Sequence, residues 1–144
     1  MQRLDNSPAL IRAGEKPCKD IHPHNTIILH IDNGDIVPSH IQLISFDEIN
    51  SNGKEIPGYI YRKRIEEKYS LKQILNATVA EQCKDSLILP SDSANICFFG
   101  TIYKDARGEY IRYISFLFDQ KKFLSRHLSD GFSNTYHVAV LSVK

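Results

Sequence analysis

Three runs of β-branched and aliphatic residues predict strands in the first half of the chain. They cover 26–31, 41–46 and 54–61. Asn33-Gly34 and Asn52-Gly53 separate them, and Asn-Gly favours the left-handed backbone of a type I′ hairpin turn. Pro57 interrupts the third run, which is typical of an edge strand or a bulge because proline cannot donate to a sheet ladder. The pattern therefore predicts an N-terminal meander of three strands.

A helical period follows the third run. Ser70 and Gln73 have the spacing of a capping box, in which the glutamine side chain reaches back to the backbone of the first residue. The apolar positions that follow recur every three or four residues, as they do on one face of a helix. These positions are Leu71, Ile74, Leu75, Thr78, Val79 and Cys83. We expect the main helix over about 71–84.

Two long aromatic and β-branched runs predict a central hairpin over 96–118. A type I turn between them places Lys104 opposite Glu109 and Gly100 opposite Tyr113. Opposite charges beside a turn and an aromatic ring over a strand glycine both favour that register. Since both faces of these runs are apolar, we expect the hairpin to lie in the middle of the sheet.

The last predicted elements are a short helix over about 120–128 and a strand over 135–143. The apolar spacing of Phe123, Leu124 and Leu128 favours the helix, and the strand is apolar on both faces. Helices are few, and hairpins join neighbouring strands. The predicted fold class is therefore α+β with a mainly antiparallel sheet.

Length and charge limit the organisation of the chain. A length of 144 residues indicates one domain, which we expect over 21–144. The first 20 residues lack a sustained period, so they predict a partly ordered arm. Eighteen Lys and Arg against seventeen Asp and Glu leave a net charge of +1. This excludes binding to nucleic acid or anionic lipid through bulk charge alone, while a local patch remains open.

Cysteine usage and absent motifs indicate the compartment and the lack of a cofactor. Cys18, Cys83 and Cys97 are an odd set at long spacings, which is typical of reduced thiols. The first residues contain no apolar signal segment, and no apolar run reaches membrane length, so we expect a cytoplasmic protein without a membrane partner. Glycine-rich phosphate loops, zinc-protease motifs and EF-hand loops are absent, so we expect no cofactor.

A group of histidines raises the hypothesis of a metal site. His22, His24 and His30 share parity, so an extended chain would project all three to one side, with Asp32 in the same series. Imidazole and carboxylate are ligands for Zn²⁺ and other transition metals. The alternative is that these histidines lie exposed or at the edge of the core, since a turn at His22-Pro-His24 would break the parity.

A basic and aromatic stretch supplies a candidate binding face. Its members are Tyr59, Tyr61, Arg62, Lys63 and Arg64. Tyrosine rings stack on bases while arginine and lysine pair with phosphates, so this composition suits RNA or single-stranded nucleic acid. Tyrosine is also favoured at protein contacts. The alternative is a plain solvated face, because Glu66 and Glu67 follow directly.

A metal-free ribonuclease would need a base, an acid and a cation around one phosphate. His127, His137 and Arg112 supply these residue types in the C-terminal half. No spacing selects them, and arginine in a hairpin more often forms an ordinary cross-strand pair.

The missing catalytic motifs and the seven tyrosines favour a non-enzymatic intracellular binding module of the inhibitor, immunity or adaptor type. Its expected partner is another protein, with RNA or single-stranded nucleic acid as the alternative partner. The alternative function is a small metal-independent RNase or another phosphodiester-directed enzyme that uses His with Arg, Lys or Tyr. The oligomeric state is not fixed by the sequence.

Overall fold

The computed structural model describes residues 11–14, 17, 26–87, 94–117 and 120–142. The strands in these ranges are β1 (Ile11–Arg12), β2 (Thr26–His30), β3 (Asp35–Ile36), β4 (Ile41–Ile44), β5 (Ile56–Pro57), β6 (Asn95–Asp105), β7 (Gly108–Leu117), β8 (Gln120–His127), β9 (Gly131–Phe132) and β10 (Tyr136–Leu141). The helices are α1 (Phe46–Ile49), α2 (Gly58–Lys68) and α3 (Ala77–Cys83), with 3₁₀ turns at Pro38–His40 and Leu71–Gln73. The fold is α+β with mainly antiparallel pairing, as the sequence predicts.

The main sheet has the order β4-β10-β6-β7-β8, and every pair in it is antiparallel except β10 with β6. β2 also pairs with β6, on the part of β6 that β10 leaves free. Helix α3 covers one face, where Ile96 and Phe98 share a hydrophobic cluster with Val79. Helix α2 covers the other face, where Cys97 and Phe99 lie. From Ile96 to Phe99, alternate residues of β6 therefore belong to two separate hydrophobic clusters, one on each face of the sheet. The central position predicted for the hairpin is confirmed.

The hairpin of β6 and β7 confirms part of the predicted register. Lys104 lies opposite Glu109, but Tyr113 lies opposite Cys97 rather than the predicted Gly100. The reason is a bulge in β6 between Phe98 and Tyr103. Gly100 instead lies against the backbone of 74–76, where an added Cβ would be 2.5 Å from the carbonyl oxygen of Ile74. Glycine is required there because another backbone approaches closely.

The predicted meander does not form. β2 pairs with β6, and β4 pairs with β10, so the strands of 26–31 and 41–46 are not neighbours. The strand predicted over 54–61 is also wrong, because β5 ends at Pro57 and α2 begins at Gly58. An added Cβ at Gly58 would be 2.6 Å from the ring of Phe132, so glycine allows the start of α2 to pack closely on β9.

The helix predicted over 71–84 is interrupted. Gln73 Oε1 accepts a hydrogen bond from the backbone N–H of Ser70 at 3.0 Å, but the turn that follows ends at Gln73. Helix α3 begins only after Asn76, whose side chain accepts from the N–H of Val79 at 3.1 Å. Asn76 also donates to the carbonyl oxygen of Ile31 at 2.8 Å, so this buried asparagine links the start of α3 to the residue that follows β2.

The short helix predicted over 120–128 is wrong, because these residues form β8 and the turn after it. β8 pairs with β7 from Leu117↔Gln120 to Tyr110↔His127, and this tertiary pairing overrides the local apolar spacing. The predicted C-terminal strand is confirmed as β10, whose residues 138–140 are buried. Within the predicted arm of residues 1–20, Ile11 and Ala13 are fully buried, so this part belongs to the core.

Candidate functional site

Helix α2 carries the predicted basic and aromatic stretch, and its inner side is fixed by an aromatic cluster. We call Phe46, Tyr61, Phe99 and Phe132 the α2 cluster; each is 0–1% exposed. The Tyr61 ring lies 5.1 Å from that of Phe46 and 5.3 Å from that of Phe99. Its hydroxyl donates to the carbonyl oxygen of Tyr136 at 3.0 Å. Burial raises the pKa of Tyr61.

The prediction that Tyr61 contacts a ligand beside Tyr59 is therefore wrong. Successive helical residues are rotated by about 100°, so Tyr59 and Tyr61 face nearly opposite directions. Tyr59 is 46% exposed and Ile60 is 40% exposed, while Tyr61 belongs to the core. Lys63 is exposed and makes no hydrogen bond or ion pair with any part of the chain that the structure describes.

The other predicted cations of α2 differ in their partners. Arg62 Nε lies 2.9 Å from Glu66 Oε2, and Arg62 Nη1 lies 3.9 Å from Glu109 Oε1, so Arg62 is held by carboxylates. Arg64 donates to Asn50 Oδ1. Within the described ranges, Arg64 forms no ion pair. We define the α2 surface as Tyr59, Ile60, Lys63, Arg64 and Lys68.

A polar cleft of about 550 Å³ borders the α2 surface. It is lined by Ile49, Asn50, Ser51, Asn52, Arg64, Glu67 and Lys68. Asn50 is 2% exposed and donates to the carbonyl oxygen of Lys54 at 2.7 Å, which fixes the turn opposite the helix. Lys68 donates to the carbonyl oxygen of Glu48 at 3.1 Å and, like Arg64, has no carboxylate partner in the described ranges. Like charges four residues apart repel, so this cleft favours an anionic group despite Glu67 on its rim.

The second notable cluster lies at the turn end of the hairpin. His127 Nε2 lies 2.9 Å from Asp105 Oδ1 and 3.0 Å from Asp105 Oδ2. The hydrogen bond with His127 is the main cause that lowers the pKa of Asp105. The ring of Tyr110 contacts His127 at 5.4 Å and stacks on Tyr103 at 5.0 Å. Burial raises the pKa of Tyr103 and the charge of Arg112 acts to lower it, so Arg112 completes what we call the hairpin-end cluster.

The remaining members of the predicted nuclease set do not join His127 at an exposed site. Arg112 is 3% exposed, and its guanidinium donates to the carbonyl oxygens of Phe123 at 2.9 Å and Leu124 at 3.2 Å. His137 lies on β10, with β6 and β7 between it and β8. Burial lowers the pKa of His137. The strand order therefore separates the two histidines.

Only part of the predicted metal site lies within the residues that the structure describes. His22 and His24 lie outside the described residues. His30 Nδ1 lies 3.0 Å from the hydroxyl of Thr101, and Asp32 Oδ1 accepts from the N–H of Gly34 at 2.8 Å. The described ranges contain no group of three potential metal ligands. The metal site stays a prediction.

Two of the cysteines are buried free thiols. Cys83 is 2% exposed and Cys97 is fully buried, whereas Cys18 lies outside the described residues. Burial raises the pKa of Cys83 to about 12 and also raises that of Cys97. Such protonated thiols are poor nucleophiles.

Sequence reasoning noted Lys68 near the basic stretch, but it did not assign Ile60 or the turn residues of the cleft to the binding face. The i, i+4 spacing of Arg64 and Lys68 would have indicated a common side once the segment was taken as a helix. Asp105 was missed because its partner, His127, was placed on a helix instead of on the strand that brings it to the turn.

Comparison with known proteins finds no matching family model, no matching curated protein and no matching solved structure. None of the helices in the described ranges is long and apolar enough to cross a membrane.

Proposed function

We propose that the protein is a non-enzymatic cytoplasmic binding module, of the inhibitor, immunity or adaptor type, that engages an acidic protein through the α2 surface. One observation carries this proposal: Tyr59 and Ile60 remain exposed beside Lys63, on a helix whose opposite side is fully buried. A rigid helix that presents a tyrosine and an aliphatic side chain loses little conformational freedom on binding. Buried free cysteines are consistent with a reducing compartment.

The cations of the α2 surface support an acidic partner. Lys63, Arg64 and Lys68 have no carboxylate partner within the described part of the chain. Cations at the rim of an interface speed association with a negative surface, while a central tyrosine controls the lifetime of the complex. Nucleic acid is the alternative partner, since the same cations could contact phosphates.

The alternative activity, a metal-independent ribonuclease, is favoured by the His127–Asp105 hydrogen bond at 2.9 Å, because a carboxylate orients an imidazole for proton transfer. It has less support, because Arg112 already donates to two backbone carbonyl groups and is 3% exposed.

Affinity capture from a nuclease-treated lysate, followed by binding measurements with the purified partner, tests the proposal. We expect Tyr59→Ala to raise Kd by an amount worth about 2 kcal/mol or more, because an interface tyrosine is typically a hot spot. Lys63→Glu should mainly lower the association rate, and added salt should reduce that difference. The matched control is Leu71→Ala, which alters another exposed apolar side chain outside the α2 surface.

Three outcomes would contradict the proposal. The first is a partner whose affinity responds to Leu71→Ala but to neither change on α2. The second is capture of RNA alone, with a salt dependence that becomes shallower in Lys63→Ala. The third is cleavage of labelled RNA in the presence of EDTA that is lost in His127→Ala, which would establish the enzyme instead.

A further inference from the structure

The chain contains two Asn-Gly pairs in different surroundings. Gly34 and Gly53 have nearly the same left-handed φ, 74° and 73°. Asn-Gly is the pair most prone to deamidation of its asparagine, because glycine has no side chain to obstruct the reaction. The backbone nitrogen of glycine loses its proton and attacks the side-chain carbonyl carbon of asparagine. The C–N bond to the side-chain amide breaks, its nitrogen takes up a proton from water and leaves as ammonia, and a cyclic imide forms. Water then opens the imide to aspartate or isoaspartate.

Asn33 is held against this reaction by distant parts of the chain. Its amide nitrogen donates to the carbonyl oxygens of Lys72 and Ile74, each at 3.0 Å. Its Oδ1 accepts from the N–H of Asn76 at 2.9 Å. The leaving group is therefore bonded twice, and the side chain can turn toward Gly34 only if these long-range contacts open together.

Asn52 has no such restraint. It lies on an exposed turn, and its Oδ1 accepts from the N–H of Lys54, only two residues away, at 2.8 Å. Its amide nitrogen has no hydrogen-bond partner in the described part of the chain. The attacking nitrogen of Gly53 donates to the carbonyl oxygen of Asn50 at 3.0 Å, within the same turn. The hydrogen bonds that must open for Asn52 to react lie within 50–54, whereas those that hold Asn33 reach 72–76, so freeing Asn52 costs less than freeing Asn33.

We propose that Asn52 is a site of spontaneous deamidation in the folded protein and that Asn33 is protected. The product places a carboxylate on the cleft that Arg64 and Lys68 also line. The chain would then contain eighteen basic and eighteen acidic residues, so its net charge falls from +1 to 0. This chemistry does not depend on the proposed function; if the α2 surface binds an acidic partner, conversion should weaken that complex.

The test is incubation of the folded full-length chain at mildly alkaline pH, followed by digestion with a glutamate-specific protease. Cleavage after Glu15, Glu48 and Glu55 separates 16–48, which contains Asn33, from 49–55, which contains Asn52. Fragment-ion mass spectrometry then locates each amide-to-acid conversion. We expect Asn33 to convert at least about tenfold more slowly than Asn52, because several long-range hydrogen bonds must open together. The Asn52→Gln variant should show no conversion in 49–55.

The same chain in denaturant is the control for structure, and there both pairs should convert at similar rates. Equal rates at Asn33 and Asn52 in the folded protein would overturn the proposal. It would also be overturned if Asn52 kept its amide in the folded protein over a period in which the denatured chain converts. Conversion of buried Asn50 instead of Asn52 would equally contradict it.

Discussion

The α2 cluster and the hairpin-end cluster each contain one fully buried tyrosine, Tyr61 and Tyr103. The two tyrosines differ in whether the hydroxyl group has a hydrogen-bond partner among the described residues. In the α2 cluster, the rings of Phe46, Phe99 and Phe132 surround Tyr61 at tilted and edge-on angles. The hydroxyl of Tyr61 donates to the carbonyl oxygen of Tyr136 at 3.0 Å. Burial of this phenol is therefore compensated by a hydrogen bond.

Tyr103 in the hairpin-end cluster lacks this compensation. Its ring stacks on Tyr110 with an interplanar angle of 12°, but its buried hydroxyl has no hydrogen-bond partner among the described residues. Desolvation is the main cause that raises the pKa of Tyr103, and the charge of Arg112 acts in the opposite direction. A buried hydroxyl without a partner costs about 1–3 kcal/mol.

The difference indicates separate roles for the two ends of the molecule. The α2 cluster anchors a helix, and that anchoring leaves the outer side of the helix free to bind. The hairpin-end cluster brings Tyr103, Arg112 and His127 together, and the unpartnered hydroxyl of Tyr103 lowers the stability of the folded state. Substitutions in the two clusters should therefore differ in the size and even the sign of their effects.

The largest effect is expected for Phe99→Ala. Phe99 is 1% exposed within the α2 cluster, so its loss should lower the free energy of unfolding by about 3–5 kcal/mol. Phe123→Ala is the matched change near the hairpin-end cluster, and it should cost less because Phe123 is only partly buried. Urea unfolding at constant m-value measures both. An equal or larger loss for Phe123→Ala would show that the hairpin end carries more of the stability.

A smaller loss is expected for Tyr61→Phe. The ring contacts of the α2 cluster remain, but the carbonyl oxygen of Tyr136 loses its donor. We expect the free energy of unfolding to fall by about 0.5–1.5 kcal/mol, the usual contribution of one hydrogen bond. An unchanged urea midpoint would mean that the hydroxyl adds nothing to the anchoring of α2.

Tyr103→Phe should have the opposite sign or no effect. The substitution removes a buried hydroxyl that has no partner in the described part of the chain and keeps the stacking on Tyr110. We expect a change between zero and a gain of about 1 kcal/mol in urea unfolding. A loss as large as that of Tyr61→Phe would show that the Tyr103 hydroxyl is hydrogen-bonded in solution, and the contrast between the clusters would then disappear.

How far each cluster could be predicted depends on how local its determinants are. The turn end of the hairpin was predictable, because Lys104 and Glu109 flank a short turn and pair across it. The α2 cluster was not, because the β-propensity of Tyr59-Ile60-Tyr61 suggested a strand. What orients Tyr61 is contact with Phe99 and Phe132, far along the chain.

In the candidate site too, the locally determined features were predictable and those that depend on long-range contacts were not. Arg64 was predicted from local composition, but the cleft beside it exists only because a distant turn packs against α2. β8 was taken as a helix because its apolar spacing is ambiguous over eight residues, and pairing with β7 decides the outcome. Residues 88–93 and 118–119 lie outside the described ranges, so the part of the predicted hairpin at Phe118 stays a prediction.

The smallest expected effect concerns Asp105 and depends on pH. The hydrogen bond with His127 lowers the pKa of Asp105 below its usual value of 3.8. A carboxyl whose pKa is lower in the folded state adds stability above its unfolded pKa, and this stability is lost as the pH falls through the folded pKa. Asp105→Asn should therefore destabilise the protein near neutral pH, and the difference from the natural chain should shrink once the pH falls below about 4.

His127 provides the matched background for this measurement. In a His127→Phe chain, Asp105 has lost the partner that contributes most to lowering its pKa, so Asp105→Asn should have a smaller effect at neutral pH. Urea unfolding of all four chains at several pH values gives the coupling between the two side chains. A coupling of zero at every pH would mean that the pair adds nothing to the stability of the hairpin end.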